Sequence, residues 1–463
     1  MSRFLLLIAT VALWVGLLWF VMRVDFSRQS LLSVAAVHAL PPLLLWGGWL
    51  FWRRHVRLAK TRAEASEKTQ QEADQHAQRE MASQAFQEKL QYRRYALDCR
   101  WASIVSDSLA DSPAANALAS SAIVQPEVAH KGQPSAVLAA ALSQLAAVCP
   151  GAQYLPVYVA ESPGLDLAQA VVALRAMRGA QSRASTVSAL TGEGGVAATM
   201  LARFEREPDL PGALFIAANG PAASDEQDGE EFPLTQPKHV DALVVMLFTH
   251  PDLNAAHAKL TMALGAAFAA YHPMTPFWDR KQPLQAGLVE RLSQLPEGAA
   301  AALAALPVMA QLRRPVEVAG EKPDRAWRSA LEAALINANL KPLDFVWDVA
   351  TPTPEKPADD AAEREIHCAW AVHNAGSFET AGDRLALLGK ALDAQDIDLN
   401  IIRQGSNVVA EVNLGMLDQW VSLALAIAQA QALAAPTLWA HFGTRSTLGM
   451  ITPPPNQSAS GNA

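Results

Sequence analysis

Two long apolar runs at the start of the chain, Phe4–Met22 and Leu31–Trp52, constrain everything that follows. At a helical rise of about 1.5 Å per residue each is long enough to cross a hydrocarbon core of roughly 30 Å. Neither contains Asp, Glu, Lys or Arg. A cleavable leader would have a shorter apolar core and a small-x-small cleavage site, whereas Trp19, Phe20, Val21, Met22 and Arg23 follow directly here. The first run therefore reads as an uncleaved anchor, and residues 1–55 as a transmembrane hairpin. Pro41 and Pro42 lie inside the second run, where the loss of a backbone donor predicts a bend. His38, one turn earlier, reads as a packed or tolerated residue.

Basic residues near the ends of the runs set the expected orientation. The short link carries Arg23 and Arg28 beside Asp25, while the far flank carries Arg53, Arg54, Arg57, Lys60 and Arg62, with Arg3 on the same side. Both termini, and the main domain with them, are expected on the cytoplasmic face of a bacterial inner membrane. From Val56 to Ser112 there is neither Gly nor Pro, and the composition favours helix, so residues 56–91 read as a helical stalk that docks onto a core near its end. Sustained a/d heptads are missing, which disfavours a coiled coil.

Beyond Tyr92 short apolar runs alternate with alanine-rich helical ones. Expected strands are Tyr154–Ala160, Ala213–Ala218, Ala242–Phe248, Asp344–Val349, Glu365–Val372, Asn407–Val412 and Leu438–Phe442. Expected helices are Leu165–Arg178, His257–Tyr271, Ala326–Asn337, Asp383–Asp393 and Leu417–Leu433, and Val187–Phe204 reads as a helix or a strand plus helix. This alternation predicts an α/β domain with a mostly parallel, buried sheet. The boundaries expected are 92–310 for a first half, 311–452 for a second and 453–463 for a disordered tail. Pro221–Lys238 and Thr351–Asp360 read as solvated loops.

The composition is 51% hydrophobic and 18% charged with a net charge of −8, and basic residues beyond the membrane flank are scattered, so a nucleic-acid surface is not expected. Cys99, Cys149 and Cys368 have no CxxC spacing, and His367, Cys368 and His373 alternate across a strand rather than converging; neither a metal nor a disulfide framework is read here. Cys149 ends a helical run, where the helix C-terminus raises a thiol pKa and opposes activation. Thr191-Gly192-Glu193-Gly194-Gly195 lacks the Lys-Ser/Thr pair of a phosphate loop and reads as a tight turn. No catalytic residue, cofactor or metal is assigned.

The C-terminal third resembles β-ketoacyl synthases of the thiolase fold. The run WRSALEAALINANLKPLDFV at 327–346 is similar to that family's helix and following strand, and Thr351-Pro352-Thr353-Pro354 with Asp360–Glu363 to its GTGTP segment. Asn413-Leu414-Gly415-Met416 resembles its SNIGH, and Phe442-Gly443 through Met450 its closing segment. The resemblance implies a thiolase-like layered α/β domain behind the two-helix anchor and stalk, as a homodimer or an internally duplicated pseudo-dimer. It also implies lost chemistry, because Asp348, Glu411 and Met416 stand at positions where the family carries catalytic histidine or lysine. Without those groups and a nucleophilic cysteine, condensation has neither an oxyanion donor nor an acyl acceptor. The overall layout of anchor, stalk, the junction Tyr92-Arg93-Arg94-Tyr95-Ala96-Leu97-Asp98 and a large α/β domain resembles the type VI secretion lipase-adaptor family. That resemblance implies a non-enzymatic adaptor with a protein effector and a secretion-spike component as partners; the alternative is a membrane-tethered thiolase-fold protein that binds or processes acyl thioesters.

Overall fold

A computed structural model describes residues 2–21, 30–106, 134–162, 165–178, 186–192, 194–219, 238–239, 242–266, 286–296, 298–342, 368–376, 382–403, 405–407 and 412–454. Two compact units result, Met1–Glu88 and Lys89–Ala463. In the first, helix α1 spans Ser2–Gly16 and continues into a π-helical turn, Leu17–Val21. Helix α2 runs from Leu31 to Arg94 with Pro41 and Pro42 inside it. The expected span and stalk are therefore one uninterrupted helix. Beyond the apolar part it is held by helix-forming residues and by ion pairs one turn apart, Lys60–Glu64 at 3.9 Å and Lys68–Glu72 at 4.0 Å. By length and composition it is the one helix among the described residues able to cross a membrane; the apolar part of the first, Ile8–Phe20, is shorter.

The second unit is built on strands β1 (Ala96–Val105), β2 (Val157–Ala160), β3 (Val187–Ala189), β4 (Gly212–Ala218), β5 (Lys238–His239), β6 (Leu243–Thr249) and β7 (Ala310–Arg313). These continue with β8 (Val316–Glu317), β9 (Trp370–His373), β10 (Ser406–Asn407), β11 (Val412–Asn413), β12 (Thr437–His441) and β13 (Thr447–Thr452). An eleven-stranded sheet runs β10-β9-β12-β13-β7-β1-β6-β4-β2-β3, with β8 on β13. Its two halves follow one plan. In the first, β3, β2 and β4 are parallel and β6 runs antiparallel between β4 and β1. In the second, β10, β9 and β12 are parallel and β13 runs antiparallel between β12 and β7. The antiparallel pair β1–β7 joins them. Layered α/β architecture with an internal duplication is thus present, but the expected mostly parallel sheet is mixed.

Helices α3 (Pro134–Val148), α4 (Leu167–Arg178), α5 (Val196–Arg206), α6 (Leu253–Ala266), α7 (Ala286–Ser293), α8 (Ala299–Ala305), α9 (Pro323–Asn337), α10 (Gly382–Asp393), α11 (Asn400–Arg403) and α12 (Asp418–Leu433) fill the layers. Period-2 alternation divides the strands between them. Phe215, Met246 and Phe248 face a core shared with α5 and α12, while Leu214, Ile216, Val245 and Leu247 face one shared with α3, α4 and α7. A third core packs α9 and α10 under Leu438, Ala440 and Met450. From Trp420 to Ala430 every residue of α12 is buried, so this helix is enclosed on all sides rather than amphipathic.

Three further expectations need correction. Helix α2 runs past the expected end of the stalk at residue 91 to Arg94, and residues 96–105, for which no element was expected, are strand: absence of Gly and Pro does not distinguish helix from strand, and Trp101, Ile104 and Val105 favour the latter. The run Asn407–Val412 is not one strand, since β10 pairs with β9 while β11 pairs with β5 in a separate two-stranded ladder. Strand β13 follows the last strand expected and β7 precedes α9, and neither was anticipated. The expected strand Asp344–Val349, both acidic loops apart from Lys238, and positions Asp348 and Glu411 lie outside the described residues.

Buried charge in β1 ties the layers together. The Arg100 guanidinium donates to Thr249 Oγ1 at 2.8 Å, Asn254 Oδ1 at 2.8 Å and Leu303 O at 3.2 Å, and also to Ala304 O and Leu306 O, closing the C-terminal end of α8. Asp98, on the same face, accepts from Gln311 Nε2 at 2.8 Å, and Gln311 Oε1 accepts from Arg313 at 2.7 Å. Arg313 reaches on to Thr452 Oγ1 and to the carbonyl of Arg94 at the end of α2. Arg100→Ala removes donors from several buried carbonyls and is expected to cost about 3–5 kcal/mol. Arg100→Lys, which lacks the planar fork, should recover only part of it. Urea denaturation checks both, and a loss below about 1 kcal/mol for Arg100→Ala would contradict the assignment.

Candidate functional site

The duplicated halves place two buried helices, α5 and α12, with their first turns facing one groove. It has a volume of about 340 Å³ and is lined by Ala160 and Leu190 behind β2 and β3, by Gly192, Gly194, Val196 and Thr199 from the start of α5, by Gly415, Met416, Asp418, Gln419 and Trp420 from the start of α12, and by His441 at the end of β12. Ligands in open α/β sheets gather at such strand ends and helix starts, where unpaired N–H groups converge.

Local geometry explains the glycines. A Cβ on Gly192 would lie 2.6 Å from Thr199 Oγ1, so the loop can close onto α5 only without a side chain there. Thr199 Oγ1 is itself engaged, donating to Gly195 O at 3.1 Å. At the other lip Gly415 sits at φ +52°, a left-handed conformation that favours glycine, and Asn219 Nδ2 holds the preceding carbonyl of Leu414 at 3.2 Å. Gly195 is the N-cap of α5, and Glu193, at the centre of the run expected to form a tight turn, lies outside the described residues.

A relay of side chains joins the helix starts. Val196 N donates to Gln419 Oε1 at 2.8 Å, which satisfies the first amide of α5. The Gln419 Nε2 amide then donates to His441 Nδ1 at 3.2 Å. This network assigns the His441 proton to Nε2. Burial, with the Arg384 charge as a second cause, holds the His441 pKa down to about 4. Beside it Asn374 brackets Phe442, donating through Nδ2 to the Phe442 carbonyl at 3.1 Å and accepting from its amide at 2.6 Å. Asp418 has its pKa raised by burial against the opposing hydrogen bond from Asn374, and its Oδ1 is buried with no hydrogen-bond partner among the described residues.

The sequence candidates distribute unevenly. Met416 reaches the groove and is exposed at its mouth. His373 lies near it in sequence from Asn374 but is spent on structure: it accepts from Ala375 N at 3.4 Å, and burial pushes its pKa to about 4. Cys368 is buried with its pKa raised to about 11, and His367 lies outside the described residues. Among those residues no three His, Cys, Asp or Glu side chains form a metal-binding group. Cys149 follows α3 with its thiol pKa raised by burial, and that of Cys99 is raised for the same reason. Arg53, Arg54, Arg57, Lys60 and Arg62 lie along α2, where Arg53 stacks over Trp49 at 5.1 Å. His441, Gln419, Asp418 and Asn374 were missed. Their signal was positional: polar residues directly after a strand or opening a helix, within otherwise apolar runs.

A larger open hollow of about 790 Å³ lies at the starts of α9 and α10, but its charges face solvent and include the Lys390–Asp324 pair at 3.1 Å. The smaller groove is the one with converging buried polar groups.

Comparison with family models finds no match, and comparison with curated proteins finds none. Solved structures do align. A monomeric SCP2-thiolase-like protein from Mycobacterium smegmatis matches with 10% identity over 78% of this chain and 78% of its own, at a TM-score of 0.40. The 3-oxoacyl-[acyl-carrier-protein] synthase III from Aquifex aeolicus matches with 10% identity over 77% of this chain and 98% of its own, at 0.38. OleA from Xanthomonas campestris with cerulenin matches with 9% identity over 77% and 94%, at 0.37.

His373 and His441, both buried, titrate well below the ordinary value of about 6.5. The unfolded chain therefore binds protons that the folded chain excludes as pH falls from about 6.5 to about 4, and stability drops across that window. Urea midpoints at pH 7 and pH 5 should differ accordingly. His441→Gln, which cannot take up a proton, should flatten that difference; an unchanged slope would contradict the buried neutral state.

Proposed function

We propose that this protein is a membrane-anchored, non-catalytic adaptor, held at a bacterial inner membrane by α1 and α2 with its α/β unit in the cytoplasm, recruiting a protein effector such as a lipase to a type VI secretion machine. The observation that carries the non-catalytic part is the content of the groove. Glycines and Val196 open α5 and Met416 opens the other lip, so no thiol lines it, and Cys99, Cys149 and Cys368 are all buried elsewhere. Its one imidazole already carries its proton on Nε2, so it can donate a hydrogen bond but cannot act as a base through that nitrogen. The layout of basic flank, continuous helix and large unit supports the adaptor part.

The polar groups Asp418, Gln419 and His441 favour a second reading, a protein that binds acyl thioesters in the same groove without turning them over. Two measurements separate the readings. Full-length protein, crosslinked in its native membrane and captured, should bring down a lipase effector and a spike component; recovery of neither would sink the adaptor role. Mass spectrometry after incubation with acyl-CoA and acyl-carrier thioesters should find all three cysteines unmodified at pH 8 until the chain is unfolded. Acylation of Cys149, or measurable thioester cleavage, would reverse the non-catalytic assignment. A reporter fused after Lys60 should be active in the cytoplasm, and activity confined to the periplasm would invert the topology.

A further inference from the structure

Proline 41 brings no backbone N–H, so α2 cannot donate to the carbonyl four residues earlier, that of Val37. In water such a carbonyl turns to solvent. Inside hydrocarbon it needs another donor, and in spanning helices neighbouring helices provide one. Here α1 does so: Trp14 Nε1 lies 3.0 Å from Val37 O. Trp19, at the end of the same apolar segment, donates through Nε1 to His38 Nε2 at 3.0 Å, while His38 Nδ1 is 2.8 Å from Val34 O. The imidazole thus accepts at Nε2 and donates at Nδ1, the neutral form. Around these contacts Leu18 and Pro42 are buried although the apolar segments are otherwise largely exposed.

We infer that α1 is an interaction surface dedicated to the proline break in α2, with the Trp14 indole replacing the donor that Pro41 lacks and the Trp19–His38 contact fixing the register. The two helices then form one inserted hairpin, in which the second span depends on the first for a satisfied backbone. This rests on the membrane placement proposed above but not on the adaptor role. It also explains how Pro41 is tolerated inside an unbroken helix.

Solid-state NMR of the full-length chain in lipid nanodiscs tests it, with tryptophan carrying ¹⁵N in the indole and valine carrying ¹³C in the carbonyl. Strong dipolar dephasing between the two labels should be present in the wild type, lost in Trp14→Phe and kept in Trp19→Phe. Its absence from the wild type, or its persistence in Trp14→Phe, overturns the inference. An SDS titration of helix separation supplies the energetic arm. Trp14→Phe should weaken α1–α2 association roughly threefold, and the loss should vanish in a Pro41→Ala background, where the residue 41 amide returns to Val37. An equal loss in both backgrounds overturns the inference as well. Lipid-to-protein magnetisation transfer in the same samples reports membrane placement separately, so failure of that premise is told apart from failure of the contact.

Discussion

Arg100 is a charge the second unit has enclosed, and the layers around it depend on how it is satisfied. Its acceptors span β6, α6 and the last carbonyls of α8, so one guanidinium closes one helix and ties a second helix and a neighbouring strand to the central strand. Two residues away Asp98 begins the chain of polar contacts through Gln311 and Arg313 to β13 and the end of α2. Removing one member leaves the others buried without partners, which costs far more than the pair contributes in net terms. The result is a unit whose central seam, β1–β7, is fixed in register by hydrogen-bonding groups as well as by apolar packing.

That seam also determines where the groove can be. Because both halves repeat one strand plan, α5 and α12 are brought start to start, and the groove lies at their meeting point. Gln419 turns this proximity into a bond, since its amide satisfies α5 on one side and His441 on the other. Gln419 and His441 are thereby held in place, whereas the buried Oδ1 of Asp418 has no hydrogen-bond partner among the described residues.

How much of this was legible in the sequence follows from which forces each signal reports. Strands β4 and β6 and helices α4, α9 and α10 match their expected bounds to within three residues because their apolar runs are bounded by turn residues. Strand β1 was hidden because Asp98 and Arg100 interrupt its apolar pattern, and a sequence cannot show that their partners sit more than 140 residues away. The mixed sheet was missed for a related reason: alternation of strands and helices reports layers, whereas the direction of β6 and β13 is set by long-range pairing. In the groove, Met416 was visible through a family resemblance. Gln419 and His441 belong to no local motif and acquire meaning only when two helix starts meet.

Strand β1 has a further property in the time domain. It is made early, and more than 130 residues separate Val105 from the first residue of β6, with β7 later still. At about 5–20 residues per second, β1 waits on the order of ten seconds for its first neighbour. A fully apolar strand left unpaired that long invites association with other chains. Asp98 and Arg100 interrupt the apolar run of the waiting strand with charge, which disfavours such association, and the same two charges are buried in the folded unit by β6, β7 and α8. The pair that stabilises the finished seam is thus also what protects the unfinished one.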